Sequence, residues 1–315
     1  MDIIDIRNLI SSTLEPLIGS KYVLLEIPHY FNIGDILIWE GELRFLSQLK
    51  SKMLYSTSSH NYDASRKIPT DATILLQGGG NWGDIWKDPH NFRKKIISLY
   101  PNNKILVFPQ TIHYNKKENL INDINFFKQY PNVTICARDK NSYQILQTYF
   151  KNNPSYLLPD MAFFVDINNI NNQEGNKILF AKRIDKEYDE RSDYNTLIPA
   201  DAEIHDWPTY ENYHASFTTL GRVSRILQII DKCFNSSLKM RFIDFYWRNI
   251  FKKKLINIGI NFLNDYHTIY TTRLHIAILG LLMNKKVYML DNSYGKLSGF
   301  FDAWLKDFTN VRLLK

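Results

Sequence analysis

The stretch Leu75-Leu76-Gln77-Gly78-Gly79-Gly80-Asn81-Trp82-Gly83-Asp84, LLQGGGNWGD, decides how this chain is read. From Gly78 to Gly83 it satisfies G-x-G-x-x-G, the glycine pattern that lets a backbone approach a pyrophosphate. That pattern needs a strand before it, a helix opening directly after it, and an acid roughly 20 residues further on for the ribose. The strand is present as ATILLQ, ending at Gln77. The other two requirements fail. Gly83 is followed by DIWKDPHNF, whose Pro89 and acids put the next helix start near His90, and Asp84 would face a phosphate with the wrong charge. The following apolar run closes on Phe108-Pro109-Gln110, with no carboxylate. No nicotinamide or flavin cofactor is therefore expected. The glycines are read instead as allowing close backbone approach or positive φ.

Outward from this stretch one pattern repeats: a short apolar run, a loop rich in special residues, then an amphipathic segment. The runs are KYVLLEIP (Lys21 to Pro28), ATILLQ (Ala72 to Gln77), KILVFP (Lys104 to Pro109), VTICA (Val133 to Ala137) and SYLLP (Ser155 to Pro159). Their Leu and β-branched content suits strands buried on both faces of a parallel sheet. After the first run, GDILIWEGELRFLSQL puts Ile36, Leu37, Glu40, Leu43, Leu46 and Leu49 at helical spacing, with Asp35 at the helix start. The polar, Asn-rich DINNINNQEGN (Asp166 to Asn176) then marks a boundary. A second block follows, with strands near KILFA, HTIYTT and KKVYML and helices near LGRVSRILQIIDKCF and LHIAILGLLM. The expected fold class is α/β: two doubly wound, Rossmann-like domains, residues 1–168 and 169–315, facing across a cleft.

Composition narrows the class of function. The chain has 315 residues, 44% of them hydrophobic, and two cysteines, Cys136 and Cys233, with no C-x-x-C or metal-ligand spacing. A disulfide framework is not expected, and neither is a metal site. The N-terminus MDIIDIRNLI carries acids where a signal peptide needs bases, and no apolar run approaches the roughly 18 residues of a membrane span, so a cytoplasmic setting is expected. Formal charge is +7, but the 39 Lys and Arg are dispersed among 32 Asp and Glu, which argues against a nucleic-acid partner. The densest basic run, Lys252-Lys253-Lys254, suits a solvated helix face or peripheral contact with an anionic inner-membrane surface. Self-association is left open.

In open α/β sheets ligands bind beyond the carboxyl ends of the strands. The chain delivers polar groups there repeatedly: Asn32 and Asp35 after the first run, Gly80, Asn81 and Trp82 after the second, Gln110 and His113 after the third, Arg138 after the fourth and Asp160 after the fifth. In the second block Arg273 and His275 follow HTIYTT, and Ser293 and Lys296 follow KKVYML. Two arginines at helix starts, with His275 and Lys296, form a receptor for a small dianion, because the planar guanidinium binds carboxylate and phosphate bidentately. The competing reading pairs each arginine with a carboxylate of its own.

Taken in order, NIGDILIWEGELRFL, LLQGGGNWGDIW, FPQTIH, CARDKNSYQIL, LLPDMAF, TTRLHIAILGLL and LDNSYGKLSGFFDAW resemble the polysaccharide pyruvyl transferase family from Asn32 to Trp304. The resemblance implies a GT-B-like fold and transfer of the enolpyruvyl group of phosphoenolpyruvate to two hydroxyls of one sugar residue, as a cyclic ketal in exopolysaccharide, capsule or cell-wall glycan. It implies phosphoenolpyruvate contacts at Arg138, Arg273, Leu274 and His275, with Lys296 and Ser293 beside them. Where the family often has an acid before the arginine and a glycine after the histidine, this chain has Thr272 and Ile276. His275 and His113 are the candidates for proton transfer, since imidazole titrates near neutrality. Asp35 and Asp160 are candidate bases or sugar ligands, and Asn32, Gly80, Asn81, Trp82, Gln110 and His113 are the remaining sugar contacts. For Trp82 a place in the core competes with that role, and for Asp35 plain stabilisation of a helix start does. The N-terminal domain is read as the acceptor side and the C-terminal one as the donor side. The acceptor is a sugar or lipid-linked oligosaccharide; the rival reading is a GT-B glycosyltransferase using a nucleotide sugar.

Overall fold

The computed structural model of the chain describes residues 1–167, 175–184, 194, 197–211, 222–223, 226, 229–230, 243–291 and 295–314, with the backbone alone for Lys296. Ser293, Cys233, most of the expected helix LGRVSRILQIIDKCF and part of the Asn-rich boundary lie outside the described residues. The chain divides into two compact units: Met1–Ile27, Ile38–Val165 and Ser298–Phe308 form the first, and Pro28–Leu37, Asp166–Leu297 and Thr309–Lys315 the second. The excursions Pro28–Leu37 and Ser298–Phe308 change units twice, which a single boundary near residue 168 does not express.

The first unit is built on β1 (Lys21–Leu25), β2 (Lys52–Thr57), β3 (Thr73–Leu76), β4 (Gly79–Gly83), β5 (Ile105–His113), β6 (Val133–Ala137) and β7 (Ser155–Leu157). They run in the order β2-β1-β3-β5-β6-β7, with β4 added to β5, and every pairing is parallel. All four residues of β3 are buried, as are Tyr22 to Leu25 of β1, so the continuous apolar runs are interior strands covered on both faces. Val23, Ile74, Val107 and Ile135 anchor a core to which the helices α3 (Lys87–Leu99) and α5 (Lys140–Tyr149) contribute Ile96, Ile97 and Leu146. Burying each such side chain stabilises the unit by about 1.5–3 kcal/mol.

Two expectations need correction. Strand β5 does not stop at Pro109 but continues to His113. Proline has no N–H to donate, and the β5–β6 register shifts between Val107 and Gln110, across that residue. Helix α3 begins at Lys87 rather than near His90, with Pro89 in its first turn, where its missing N–H costs nothing. Strand β2 has no counterpart among the expected runs. Its residues before Thr57 are only half-buried or exposed, as on a sheet edge.

The second unit carries β8 (Lys177–Ala181), β9 (Glu203–His205), β10 (Tyr266–Thr271), β11 (Lys286–Leu290) and β12 (Val311–Leu314) in the order β12-β11-β10-β8-β9, again all parallel. The order reverses beside β8, so the carboxyl ends of β8 and β10 flank a topological switch point, where such sheets bind ligands. In the first sheet the corresponding point lies between β1 and β3. No helix among the described residues is long and apolar enough to cross a membrane.

Candidate active site

In the second unit the loop leaving β1 meets the segment leaving β10. Arg273 is the N-cap of helix Leu274–Leu282, so His275 sits in its first turn and Leu274 is buried at its start. The His275 ring lies against Gly34: a Cβ at position 34 would stand 2.5 Å from Nδ1 and 3.1 Å from Cγ. Gly34 belongs to α2 (Ile33–Ser47), whose first turn carries Asp35. The Asp35 carboxylate is buried and accepts hydrogen bonds from the Tyr30 hydroxyl at 2.9 Å and from Asn32 Nδ2 at 2.8 Å, while Asn32 Oδ1 accepts from the Gly34 amide at 3.0 Å. Asn32 thus organises the loop from within, closing one side chain on a backbone amide and a carboxylate. His29, stacked on Trp247 with ring centroids 4.9 Å apart, holds the loop's other end.

Arg273 does not stand as an open fork. Its Nε and Nη2 both reach the carboxylate of Asp206, Nη2 at 2.5 Å from Oδ2, and its guanidinium lies 4.7 Å from the centre of the Tyr210 ring. Asp206 also accepts the amides of Ile184 and Trp207. The carboxylate that engages Arg273 thus follows β9, while Thr272, directly before the arginine, accepts the Arg183 amide. Asp206 escaped sequence reasoning because EIHDWP reads as an irregular acidic stretch. Its only signal was a carboxylate directly after an apolar alternation.

In the first unit Arg138 is likewise engaged: Nη1 donates to Asp160 Oδ2 at 2.6 Å and Nε to Thr111 Oγ1 at 2.9 Å, with both partners of the ion pair almost fully buried. Each arginine expected to receive an anion thus carries an internal carboxylate, as the competing reading has it. Asp139 caps α5 through the Ser142 amide. Asp160 caps the turn Met161–Phe164 through the Ala162 amide. The Trp304 indole donates to the Arg138 carbonyl at 2.7 Å, tying the excursion Ser298–Phe308 to this unit.

The glycine stretch is itself the strand β4. It pairs with β5 at Gly79, Trp82 and Gly83, and its register shifts between Gly79 and Trp82, so Gly80 and Asn81 form a half-buried bulge. Gly79 and Gly83 flank it with φ of 131° and 112°, in the region that favours glycine, and a side chain at Gly83 would overlap the His113 carbonyl. Of the three fingerprint glycines, Gly83 is thus accounted for by strand geometry, and a Cβ at Gly78 would stand 2.9 Å from the Pro109 carbonyl oxygen. Trp82 is 2% exposed, packed on Phe127 with its indole N–H on Tyr114, so its ring belongs to the core. Gln110 is fully buried and donates to the Gln77 carbonyl. His113, half-buried at the end of β5, has Nε2 3.0 Å from Asn115 Oδ1. Asp84 is engaged within the chain: it accepts the amides of Asn115 and Lys116 and the Asn119 side chain. Burial raises the Asp84 carboxyl, but those donors outweigh it and hold it below its ordinary range.

Beneath β4 lies a group sequence reasoning missed. Glu42 is fully buried, one carboxyl oxygen accepting the Gly78 amide at 2.8 Å and the other without a partner. Burial drives its pKa well above the ordinary carboxylate range, and the nearby Asp160 and Glu26 push the same way. The helical pattern pointed to Glu40 as the polar residue on the buried face. A methyl at Gly41 would overlap the Met161 carbonyl, so α2 packs its 41–42 edge inward and turns Glu40 toward Arg44, 2.6 Å away. Cys136 is buried too, and burial holds its thiol protonated. Among the described residues no three His, Cys, Asp or Glu side chains gather as metal ligands would.

Comparison with known proteins agrees with the motif order. Over 296 residues the chain is 31% identical to the putative pyruvyl transferase EpsO of Bacillus subtilis, covering 94% of this chain and 89% of that protein. It is 27% identical to pyruvyl transferase 1 of Schizosaccharomyces pombe, over 90% of this chain and 70% of that one. The fold is similar to that of a functionally uncharacterised Klebsiella pneumoniae protein, with a TM-score of 0.65 and 99% of each chain covered at 20% identity. Residues 32–294 match the family described as polysaccharide pyruvyl transferase, and the chain belongs to that family.

Proposed function

We propose that this transferase moves the enolpyruvyl group of phosphoenolpyruvate onto two hydroxyls of one sugar residue, closing a cyclic pyruvate ketal in an exopolysaccharide, capsule or cell-wall glycan. The observation that carries the reading is the seating of His275 on Gly34, one residue from the Asp35 carboxylate and two residues into the helix that Arg273 caps. An imidazole at a helix start, with a carboxylate on the facing loop, suits proton transfer to and from a bound anion.

The enol CH2 takes a proton to become CH3, and one sugar hydroxyl adds to the adjoining carbon while losing its proton. Phosphate then leaves from that carbon, and the second hydroxyl closes the ring, its proton going out with the phosphate. His275 is assigned the proton for the methylene carbon. Asp35 accepts from an acceptor hydroxyl, for which Tyr30 and Asn32 fix its carboxylate. His113 is the second imidazole available for proton transfer. The amides opening helix Leu274–Leu282 face the donor's negative charge, with Lys296 and Ser293 as its phosphate contacts. Arg273 and Arg138 act from within their ion pairs, as oriented rather than free charges. Asn81, Gly80 and His113, which are half-buried, are the acceptor contacts, while Gln110 and Trp82 support them from below.

The reading inherits from the resemblance the GT-B-like arrangement and the absence of a cofactor. A lipid-linked acceptor would bring the chain to an anionic membrane surface. There only Lys253 and Lys254 of the basic run are exposed, since Lys252 is 6% accessible. The test is thermal stabilisation of the purified protein by phosphoenolpyruvate, and phosphate release on adding methyl hexopyranosides, both lost in His275→Ala. Stabilisation by UDP or GDP but not by phosphoenolpyruvate would replace this reading with nucleotide-sugar transfer.

A further inference from the structure

Strand β4 is held at three places that flank its bulge. At one end Glu42 accepts the Gly78 amide. At the other, Asp84 gathers Asn115, Lys116 and Asn119. In the middle a chain of hydrogen bonds runs inward from the strand. The Trp82 indole donates to the Tyr114 hydroxyl at 3.0 Å, Tyr114 donates to Asp123 Oδ2 at 2.8 Å, His90 Nε2 lies 2.5 Å from that oxygen, and Lys94 reaches Oδ1 at 2.8 Å. His90 closes the loop by packing edge-on to Trp82, ring centroids 5.3 Å apart. His90 and Asp123 are buried, and Trp82 is 2% exposed. The network joins β4 at Trp82, the residue directly after Gly80 and Asn81, which escape the β5 register.

We infer that Glu42 and the Tyr114–Asp123 pair are positioning residues for acceptor recognition, pinning β4 on both sides of the Gly80–Asn81 bulge so that the Asn81 amide is offered to the sugar in one fixed place. The inference rests on the proposed role of Asn81 as an acceptor contact. Pinning matters because a displacement of about 1 Å in a contact can cost on the order of a hundredfold in rate. Burial lowers the His90 imidazole against the opposing pull of Asp123.

Tyr114→Phe removes one hydroxyl and nothing else from the chain. Amide hydrogen exchange of the peptide spanning Gly78 to Asp84 is expected to accelerate about tenfold while Tm falls by no more than about 5 °C. With the methyl hexopyranoside that best supports phosphate release, KM for the glycoside is expected to rise about tenfold, with KM for phosphoenolpyruvate unchanged. Glu42→Leu is expected to behave likewise at Gly78, and Glu42→Gln, whose amide oxygen still accepts, to restore wild-type exchange. Unchanged exchange in Tyr114→Phe, acceleration spread evenly over the whole chain, or an equal effect on both KM values would each overturn the inference. The exchange measurement needs no substrate. If phosphoenolpyruvate fails to bind wild type, the proposed function falls on that result alone, and the pinning is still decided by exchange.

Discussion

The imidazole of His275 rests directly on the backbone of Gly34, so closely that a single methyl group at position 34 would come within 2.5 Å of Nδ1. The two residues are far apart in sequence, and both belong to the second unit. The glycine is thus required by the histidine, and the loop that carries Asp35 is indexed to the helix that carries His275.

Gly34→Ala should therefore separate activity from stability. Alanine is the better helix former by about 1 kcal/mol, and position 34 lies in the first turn of α2, so the backbone accepts it. The ring must give way. Phosphate release is expected to fall about ten- to a hundredfold with Tm unchanged within a few degrees. Full activity would show that the ring's position on Gly34 has no part in the chemistry.

The buried pair Arg273–Asp206 answers to a different measurement. Asp206→Ala removes the carboxylate that both Nε and Nη2 of Arg273 engage and leaves the Ile184 and Trp207 amides without that acceptor. Removing one partner of such a pair costs about 3–5 kcal/mol. Chemical denaturation should show the loss, and Arg273→Ala should show one of similar size, so lost activity in that variant would not by itself report donor binding. Arg273→Lys is the sharper probe, because the charge stays while the fork that engages both carboxylate oxygens goes. A denaturation midpoint for Asp206→Ala equal to wild type would contradict the pairing.

Asp84 gives a pH-dependent test. Its carboxyl is held below the ordinary range by three N–H donors that outweigh its burial. A depressed folded pKa contributes stability above the unfolded value of about 3.9, and that contribution is lost as pH falls through the folded value. Asp84→Asn should therefore be less stable than wild type at pH 7, with the gap closing below about pH 4. A gap constant across that range would mean that the charge is not what those donors recognise.

Much of this was legible because parallel interior strands are written as unbroken apolar runs: VTICA and HTIYTT read directly as β6 and β10, and the residues after them as strand-end groups. The sheet edge was not legible, since KMLYST of β2 is exposed at Lys52, half-buried through Ser56 and buried only at Thr57, and carries no clean pattern. The polar interior was less legible still. Glu42 and Glu40 are two residues apart on one helix, and only the close packing of Gly41 on Met161 decides which of them turns inward. Asp160 reads only as a strand-end acid and Asp206 as one acid among several, until the fold sets an arginine against each. Sequence located the strand ends, but the pairing of charges there is a product of tertiary geometry.

Glu42 yields the last expectation, with the opposite sign to Asp84. Its folded pKa is raised, chiefly by burial, well above the roughly 4.3 of an unfolded glutamate. Below that pH the carboxyl is protonated in both states and costs nothing. As pH rises the unfolded chain releases the proton and the folded one retains it, so stability is lost at up to about 1.4 kcal/mol per pH unit until the folded pKa is passed. Glutamine keeps the shape and the acceptor for Gly78 without the proton. Glu42→Gln should match wild type near pH 4 and become progressively the more stable of the two between pH 5 and pH 8, as read from denaturation midpoints at each pH. A difference that does not grow with pH would mean that the carboxylate is ionised beneath β4, and that the Gly78 amide is held by a full negative charge.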